Sequence, residues 1–406
     1  MFGLTIRDRD LTVFQYAAPP IGCDVEAIGG GRDLTAFPIY RAGIGRRVPP
    51  GFVRIGPITT LPRVLHNLGF CLEAVLAPSG ISADILSHPD NAVPYPTLRR
   101  ILSDSVAVTG RDDVGLLVGA EAHASQLGLV GFLLQQAGDV RGSLGDLARY
   151  LHYSDRGAVV RVWEADGLAA LGYAIYEADA EDTAQIYDGA IAIACNILRD
   201  LCGPQWTPVE VMLARREPAH PVEYERVFGA PIRFDAEQSA VLFSAHWLDA
   251  PVRHSDPELR RLLQEQIDLL EAEESGSVTE QVRRLVRVLL LTSVGSLGSL
   301  SELLNMTPRT LARRLAAEGT SFKQISDEVH YSVARQYLAN TALSITEVSL
   351  AMKYSEASAF TRAFRGWAGQ SPSAWRALNR SAGTTGEKRP MTGLPTRLGT
   401  HRSAFP

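Results

Sequence analysis

A chain of 406 residues, 46% hydrophobic and 21% charged, is long enough for two or three domains of roughly 100–200 residues each and too apolar to be disordered throughout. Its four cysteines, Cys23, Cys71, Cys195 and Cys202, share no C-x-x-C spacing, which argues against a disulfide framework and for a reducing compartment. No uncharged apolar run reaches the ~18 residues that a membrane span needs, and Arg7, Asp8, Arg9 and Asp10 put charge where a signal peptide is apolar; a cytoplasmic chain without membrane contact is expected. The net charge of −5 is unevenly spread. Residues 280–380 hold 13 basic and 7 acidic groups, the tail 381–406 holds 4 and 1, and the remaining 279 residues hold 23 and 37. A basic block on an acidic body points to a polyanionic partner for that block alone.

In chain order, residues 1–50 are rich in Gly and Pro without a sustained period and read as poorly ordered, or as the result of a misplaced start codon. The spacing of Leu61, Val64, Leu65, Leu68, Leu72 and Val75 predicts one helix, closed by Pro78-Ser79-Gly80. Further helices are expected at 96–108, 113–120, 128–137 and 143–152. Ala158–Glu164 and Leu168–Tyr176 flank Ala165-Asp166-Gly167, a hairpin signal. A long apolar helix over Asp182–Leu201 ends at Gly203-Pro204, and short strands at Val209–Leu213, Ile232–Phe234 and Ala240–Ser244 surround a helix at Val222–Phe228. An α+β domain with a small, mainly antiparallel sheet follows for residues 51–270. A polar helix from Pro257 runs into the acidic Ser/Gly stretch of 271–278, which reads as a linker. Residues 279–380 read as all-helical, and 381–406 as a disordered tail.

Within the basic block one pattern occurs twice. In the first copy, Leu300–Asn305 is a short helix with Asn305 at its C-cap, Thr307 is an N-cap and Pro308 the first residue of a second helix. There Leu311 and Leu315 face inward, while Arg309, Thr310, Arg313 and Arg314 face outward. In the second, Phe360 and Phe364 take the inward places, with Glu356, Ser358, Thr361, Arg362 and Arg365 at or near the outward face. A connecting helix carries Phe322, Ile325, Val329, Val333 and Leu338, and a closing one starts at Ser371-Pro372. Two helix-turn-helix units on one rod suit two successive major grooves, about 34 Å apart. The plainer reading of the arginines is a solvated basic face, and that of Glu356 a helix-dipole partner. Phe360, Phe364, Trp367 and Trp375 are expected in the core.

These residues carry a resemblance. The stretch 281–380 resembles the DNA-binding domain of AraC/XylS-type transcription regulators through Thr307-Pro308-Arg309-Thr310-Leu311-x-Arg313-x-Leu315, Glu318-Gly319-Thr320-Ser321-Phe322, Phe360-x-Arg362-x-Phe364 and Gly369-Gln370-Ser371-Pro372-Ser373-x-Trp375-Arg376. Residues 61–250 are similar to the effector domain of the branch that includes ornithine-utilisation regulators, through Gly203-x-x-Trp206-x-Pro208 and Tyr224-x-x-x-Phe228-Gly229-x-Pro231-Ile232-x-Phe234. The resemblance implies a small-molecule-responsive regulator, an activator by expectation, with promoter DNA, RNA polymerase and a second copy of itself as partners and an amino-acid-like or fatty-acid-like effector. This chain departs from the family in having Lys353 where the second turn has Gly, Ser301 and Ser349 where the first helices have Ala, and His330 where an Arg follows Asp327-Glu328.

The effector pocket is expected between the hairpin residues Val160, Trp163, Tyr173 and Tyr176 and the helix over 182–201. The alternative function, a DNA-binding enzyme such as an alkyl-transfer repair protein, needs an activated thiol; four isolated cysteines and nine scattered histidines without metal-ligand spacing speak against it. No catalytic residue, cofactor or metal is expected.

Overall fold

A computed structural model describes residues 40–41, 48–176, 183–219, 221–253, 255–272, 277–292, 301, 304 and 306–381. Most of 1–50, the stretch 273–276 of the expected linker, Asn305 with most of its helix, and all of the tail after 381 lie outside the described residues. Two residues of the leading segment do join the fold. Strand β1 (Tyr40–Arg41) pairs antiparallel with β3 (Asn91–Pro94), which also pairs with β2 (Phe52–Arg54). This three-stranded sheet was not expected, because runs of two to four residues carry no readable alternation.

The helix expected from Leu61 to Val75 is two helices, α1 (Leu61–Asn67) and α2 (Leu72–Leu76). Gly69 lies between them at φ 86°, a left-handed position that stops helical propagation. Then follow α3 (Tyr95–Thr109), α4 (Val114–Ala120), α5 (Leu129–Leu134) and α6 (Val140–Tyr150). The hairpin β4 (Ala158–Ala165) and β5 (Leu168–Ile175) turns at Asp166 (φ 51°) and Gly167 (φ 77°), the two positive φ angles of a tight turn matched to strand twist. Helix α7 (Ala184–Cys202), β6 (Glu210–Met212), α8 (Pro221–Phe228), β7 (Ile232–Arg233) and β8 (Ser239–Ser244) complete a sheet of order β4-β5-β8-β6-β7, antiparallel except for β6–β7. Leu171, Val211, Val241 and Phe243 turn one face of the sheet onto Ile191, Cys195 and Leu198 of α7. A Cβ on Gly115 or Gly119 of α4 would lie 2.0 or 2.3 Å from a carbonyl oxygen of α7, so glycine there permits the close crossing.

Helix α9 (Pro257–Ala272) leads to α10 (Val278–Thr292). Beyond it come α11 (Pro308–Ala317), α12 (Phe322–Asn340), α13 (Ile345–Ala351), α14 (Ala357–Ala368) and α15 (Pro372–Ser381). Their core joins Leu311 and Leu315 to Ile325, Val329, Val333 and Leu338 of α12 and to Phe360, Phe364 and Trp375. Phe322 and Trp367 are only partly buried against it. The connecting helix also leans on the sheet domain. The Gln336 amide donates to Ile175 O at 3.1 Å and accepts from Tyr187 at 2.9 Å; the Tyr337 hydroxyl donates to Glu237 O; and Arg216 reaches Ala339 O at 3.1 Å.

Lys353 stands at φ 62° in the turn between α13 and α14. A side chain costs about 1 kcal/mol there relative to glycine. Lys353→Gly is expected to stabilise the protein by up to about 1 kcal/mol in chemical denaturation; a loss of that size would mean that unfolded-state entropy outweighs the relieved strain. Ser301 and Ser349 are both buried, and the Ser349 hydroxyl lacks a hydrogen-bond partner. His330 bonds Ser326 O through Nδ1 at 2.7 Å and packs beside Tyr354 and Trp367.

Candidate nucleic-acid interface and effector cavity

The basic surface is built by two short helices whose inner faces are anchored in one core. Thr307 caps α11 by accepting from Thr310 N at 3.2 Å, and Pro308 follows as the first helical residue. With Leu311 and Leu315 fully buried, the remaining periodicity leaves Arg309, Arg313 and Arg314 exposed and Thr310 half-buried. Helix α14 repeats the arrangement. Phe360 and Phe364 are fully buried, Arg362, Arg365 and Ser358 are exposed, and Thr361 is half-buried. Glu356 is the residue preceding α14; its carboxylate does not cap the helix but accepts from the Ser358 hydroxyl at 2.9 Å. At the far end of α11, Glu318 ties the unit to α10, accepting from Ser277 Oγ at 2.6 Å, Val278 N at 2.8 Å and Thr279 N at 2.9 Å. Slight burial works against ionisation of its carboxyl, yet these donors hold it at about 2.

The other half holds a cavity of about 110 Å³, partly open to solvent. Its walls are largely apolar: Leu98 and Leu102 of α3, Leu147 of α6, Val160 and Leu171 of the hairpin, and Ile186 and Ile193 of α7. One end is polar. Asp155 accepts from the Tyr95 hydroxyl at 2.8 Å, the Tyr173 hydroxyl at 2.7 Å and Gly157 N at 3.0 Å, and the two phenolic oxygens lie 2.8 Å apart. Gly157 is needed for this cluster, since a Cβ there would fall 2.2 Å from the Tyr95 ring.

Of the aromatic residues expected at the pocket, only Tyr173 lines this cavity. Trp163 lies on the opposite face of the sheet, where it lines a smaller cavity against α12, and Tyr176 packs on Val159 and Ala174. The reason is the two-residue period of a strand. Positions 160 and 163, like 173 and 176, differ by an odd number and cannot share a face. Asp155 and Tyr95 were missed; they meet from 60 positions apart in the chain, and nothing local marks either.

The buried thiols of Cys195 and Cys202 are both pushed up to about 12 by burial, which keeps them protonated and weakly nucleophilic. Among the described residues no group of three or more His, Cys, Asp or Glu could hold a metal ion, and no helix is long and apolar enough to cross a membrane.

Two helices presenting arginines from one core, joined to a second half that holds an apolar cavity, have the layout of a DNA-binding protein with a further domain. The comparisons with known proteins agree. Residues 69–252 match the arabinose-binding domain of AraC transcription regulators, N-terminal part, and residues 300–378 match a helix-turn-helix domain. The ornithine utilization regulator of Pseudomonas aeruginosa is 25% identical over 77% of this chain and 93% of its own. The transcriptional regulator VirS of Mycobacterium tuberculosis is 28% identical over 70% of this chain and 84% of its own. Among solved structures, the transcriptional regulator CdpR from Pseudomonas aeruginosa covers 78% of this chain and 97% of its own at 23% identity, with a TM-score of 0.38. The chain carries the two domains that make up AraC-type regulators and is a DNA-binding transcriptional regulator. None of these relatives is named for an enzymatic activity.

Proposed function

We propose that this regulator is cytoplasmic and answers to a small molecule held in the cavity between β4–β5 and α7, and that α11 and α14 enter two successive major grooves of promoter DNA. The observation that carries the first part is the apolar cavity whose wall includes Asp155 and Tyr173, the carboxylate bonded by Tyr173 and, from behind the wall, by Tyr95. Residues 51–270 act as the sensing and dimerising part and 279–380 as the DNA-binding part; the regulator works as a homodimer and, as an activator, engages RNA polymerase. A thermal-shift screen of metabolites against the full chain tests the sensing role, with stabilisation by a ligand as the expected result.

The second part is supported by the exposure of Arg309, Arg313, Arg314, Arg362 and Arg365 on helices whose opposite faces are fully buried. Glu356, Ser358, Thr310 and Thr361 sit near the helix starts, where base edges come within reach. Arg313 and Arg362, nearer mid-helix, suit phosphate contacts, which steepen salt dependence without choosing sequence. Arg313→Ala is expected to weaken binding to all sequences and to lower the salt slope by about 1. Arg309→Ala is expected to relax preference at one base pair, by about 1–3 kcal/mol. A salt titration on the cognate site and its single-base variants separates the two, and equal losses on every variant for Arg309→Ala would remove its role in base readout.

A further inference from the structure

The cavity wall holds a buried carboxylate bonded by neutral donors alone, two phenols and the backbone N–H groups of Gly157 and Ala158. Tyr95 Oη, Tyr173 Oη and Asp155 Oδ2 form a triangle with edges of 2.8, 2.8 and 2.7 Å. Each phenol has one proton, so two protons serve three oxygen–oxygen contacts. The carboxylate's other oxygen is shared between the Tyr95 hydroxyl and Gly157 N. Asp155 is 5% exposed and has no basic side chain in ion-pair distance among the described residues. Buried carboxylates are ordinarily paired with a cation, because leaving water costs several kcal/mol otherwise. The basic side chain in the cavity wall, Arg54, is held by Asp90 at 2.6 Å. Burial raises the Asp155 carboxyl, with the Tyr173, Gly157, Tyr95 and Ala158 bonds opposing it, as expected of a charge without a counterion.

Resting on the reading of this cavity as the effector site, we infer that the effector is a small primary amine, bound as its ammonium ion with Asp155 as counterion and its carbon body among Leu98, Leu102, Leu171 and Ile193. The ammonium supplies what the cluster lacks, a positive charge. It leaves the two phenols free to donate to the same carboxylate. A ligand with a carboxylate or phosphate head would face Asp155 in a low-dielectric site and be repelled. The volume limits the body: an apolar cavity of about 150 Å³ takes up benzene, so a body of about five or six carbon atoms suits the 110 Å³ present here.

The experiment uses the full-length protein and three probes of equal body, n-pentylamine, pentan-1-ol and pentanoate, with affinities from calorimetry near neutral pH. The amine is expected to bind at least tenfold tighter than the alcohol, and pentanoate weakest. Asp155→Asn is expected to bring the amine down to the alcohol, while Tyr173→Phe, which keeps the carboxylate, retains the preference. Should Asp155→Asn not fold, the wild-type series with Tyr173→Phe still decides. Binding of the alcohol or of pentanoate at least as tight as the amine overturns the ammonium assignment alone, as does a preference that survives Asp155→Asn. Failure of all three probes to bind overturns the assignment together with the reading of the cavity as an effector site.

Discussion

Arg215→Ala is expected to destabilise the sensor half by about 3–5 kcal/mol, because it strands a buried carboxylate. Asp188 of α7 is fully buried and Arg215, just beyond β6, nearly so. The guanidinium bonds the Asp188 carboxylate and donates to the Tyr224 hydroxyl at 2.8 Å, and Tyr224 donates to the same carboxylate at 2.7 Å. Three elements, α7, the segment after β6 and α8, therefore meet at one charge. Burial pushes the Asp188 carboxyl up to about 6 from its ordinary 3.8, even with Arg215 and Tyr224 pulling it down. A raised value means that the folded state holds the proton more tightly, so the stability owed to this group is complete below 3.8 and declines as pH rises through 6. Removing Arg215 lifts the carboxyl further. The thermal-melt deficit of the variant is thus expected to be smaller at pH 5 than at pH 8. Replacing both charges, Arg215→Met with Asp188→Leu, is expected to recover most of the loss. An unchanged melt for the single variant would show that the pair contributes nothing.

Phe364→Ala is expected to cost about 3–5 kcal/mol and to abolish DNA binding at temperatures where the wild type binds, although Phe364 faces away from the basic surface. Its ring is fully buried, with Phe360 at 5.8 Å, Tyr331 at 5.6 Å and Trp375 at 6.2 Å between centroids. It thus joins α14 to both α12 and α15. Arg362→Ala, on the exposed face of the same helix, is expected to weaken DNA binding with a stability change within about 0.5 kcal/mol. Melting curves and DNA titrations on the two variants separate anchoring from contact. If Phe364→Ala melts like the wild type, the helix is not held by its aromatic face.

The parts legible in the sequence are those with a local signal. The Thr307-Pro308 start of α11, the Asp166-Gly167 turn and the long helix ending at Gly203 each need only neighbouring residues, and each is found within two positions of where it was expected. The left-handed turn at Lys353 followed from the family resemblance, in which glycine stands at that place. The parts that were not legible depend on chain-distant meetings. Strand β3 is recognisable only once β2 lies beside it. The Asp155 cluster joins residues from α3, a loop and β5. The expected pocket aromatics do not share one cavity, for a different reason: strand parity, available in the sequence, puts Trp163 and Tyr176 on the face opposite Val160 and Tyr173. Gln336 and Tyr337 were read as part of a connector between two reading units, whereas they also dock it on the sensor half.

That docking is addressed mostly to main-chain atoms. Gln336 reaches Ile175 O, Tyr337 reaches Glu237 O, Arg216 reaches Ala339 O, and Arg216 N donates to Asn340 O. Every amino acid carries the same carbonyl, so the residues supplying these acceptors can drift without loosening the joint. Spacing is another matter. One residue inserted into α12 ahead of Gln336 turns everything beyond it by about 100° and advances it 1.5 Å, which takes the amide away from β5. The joint between sensing and reading is therefore permissive to substitution and intolerant of insertion or deletion, and a hybrid regulator made by exchanging halves stands or falls on helix length.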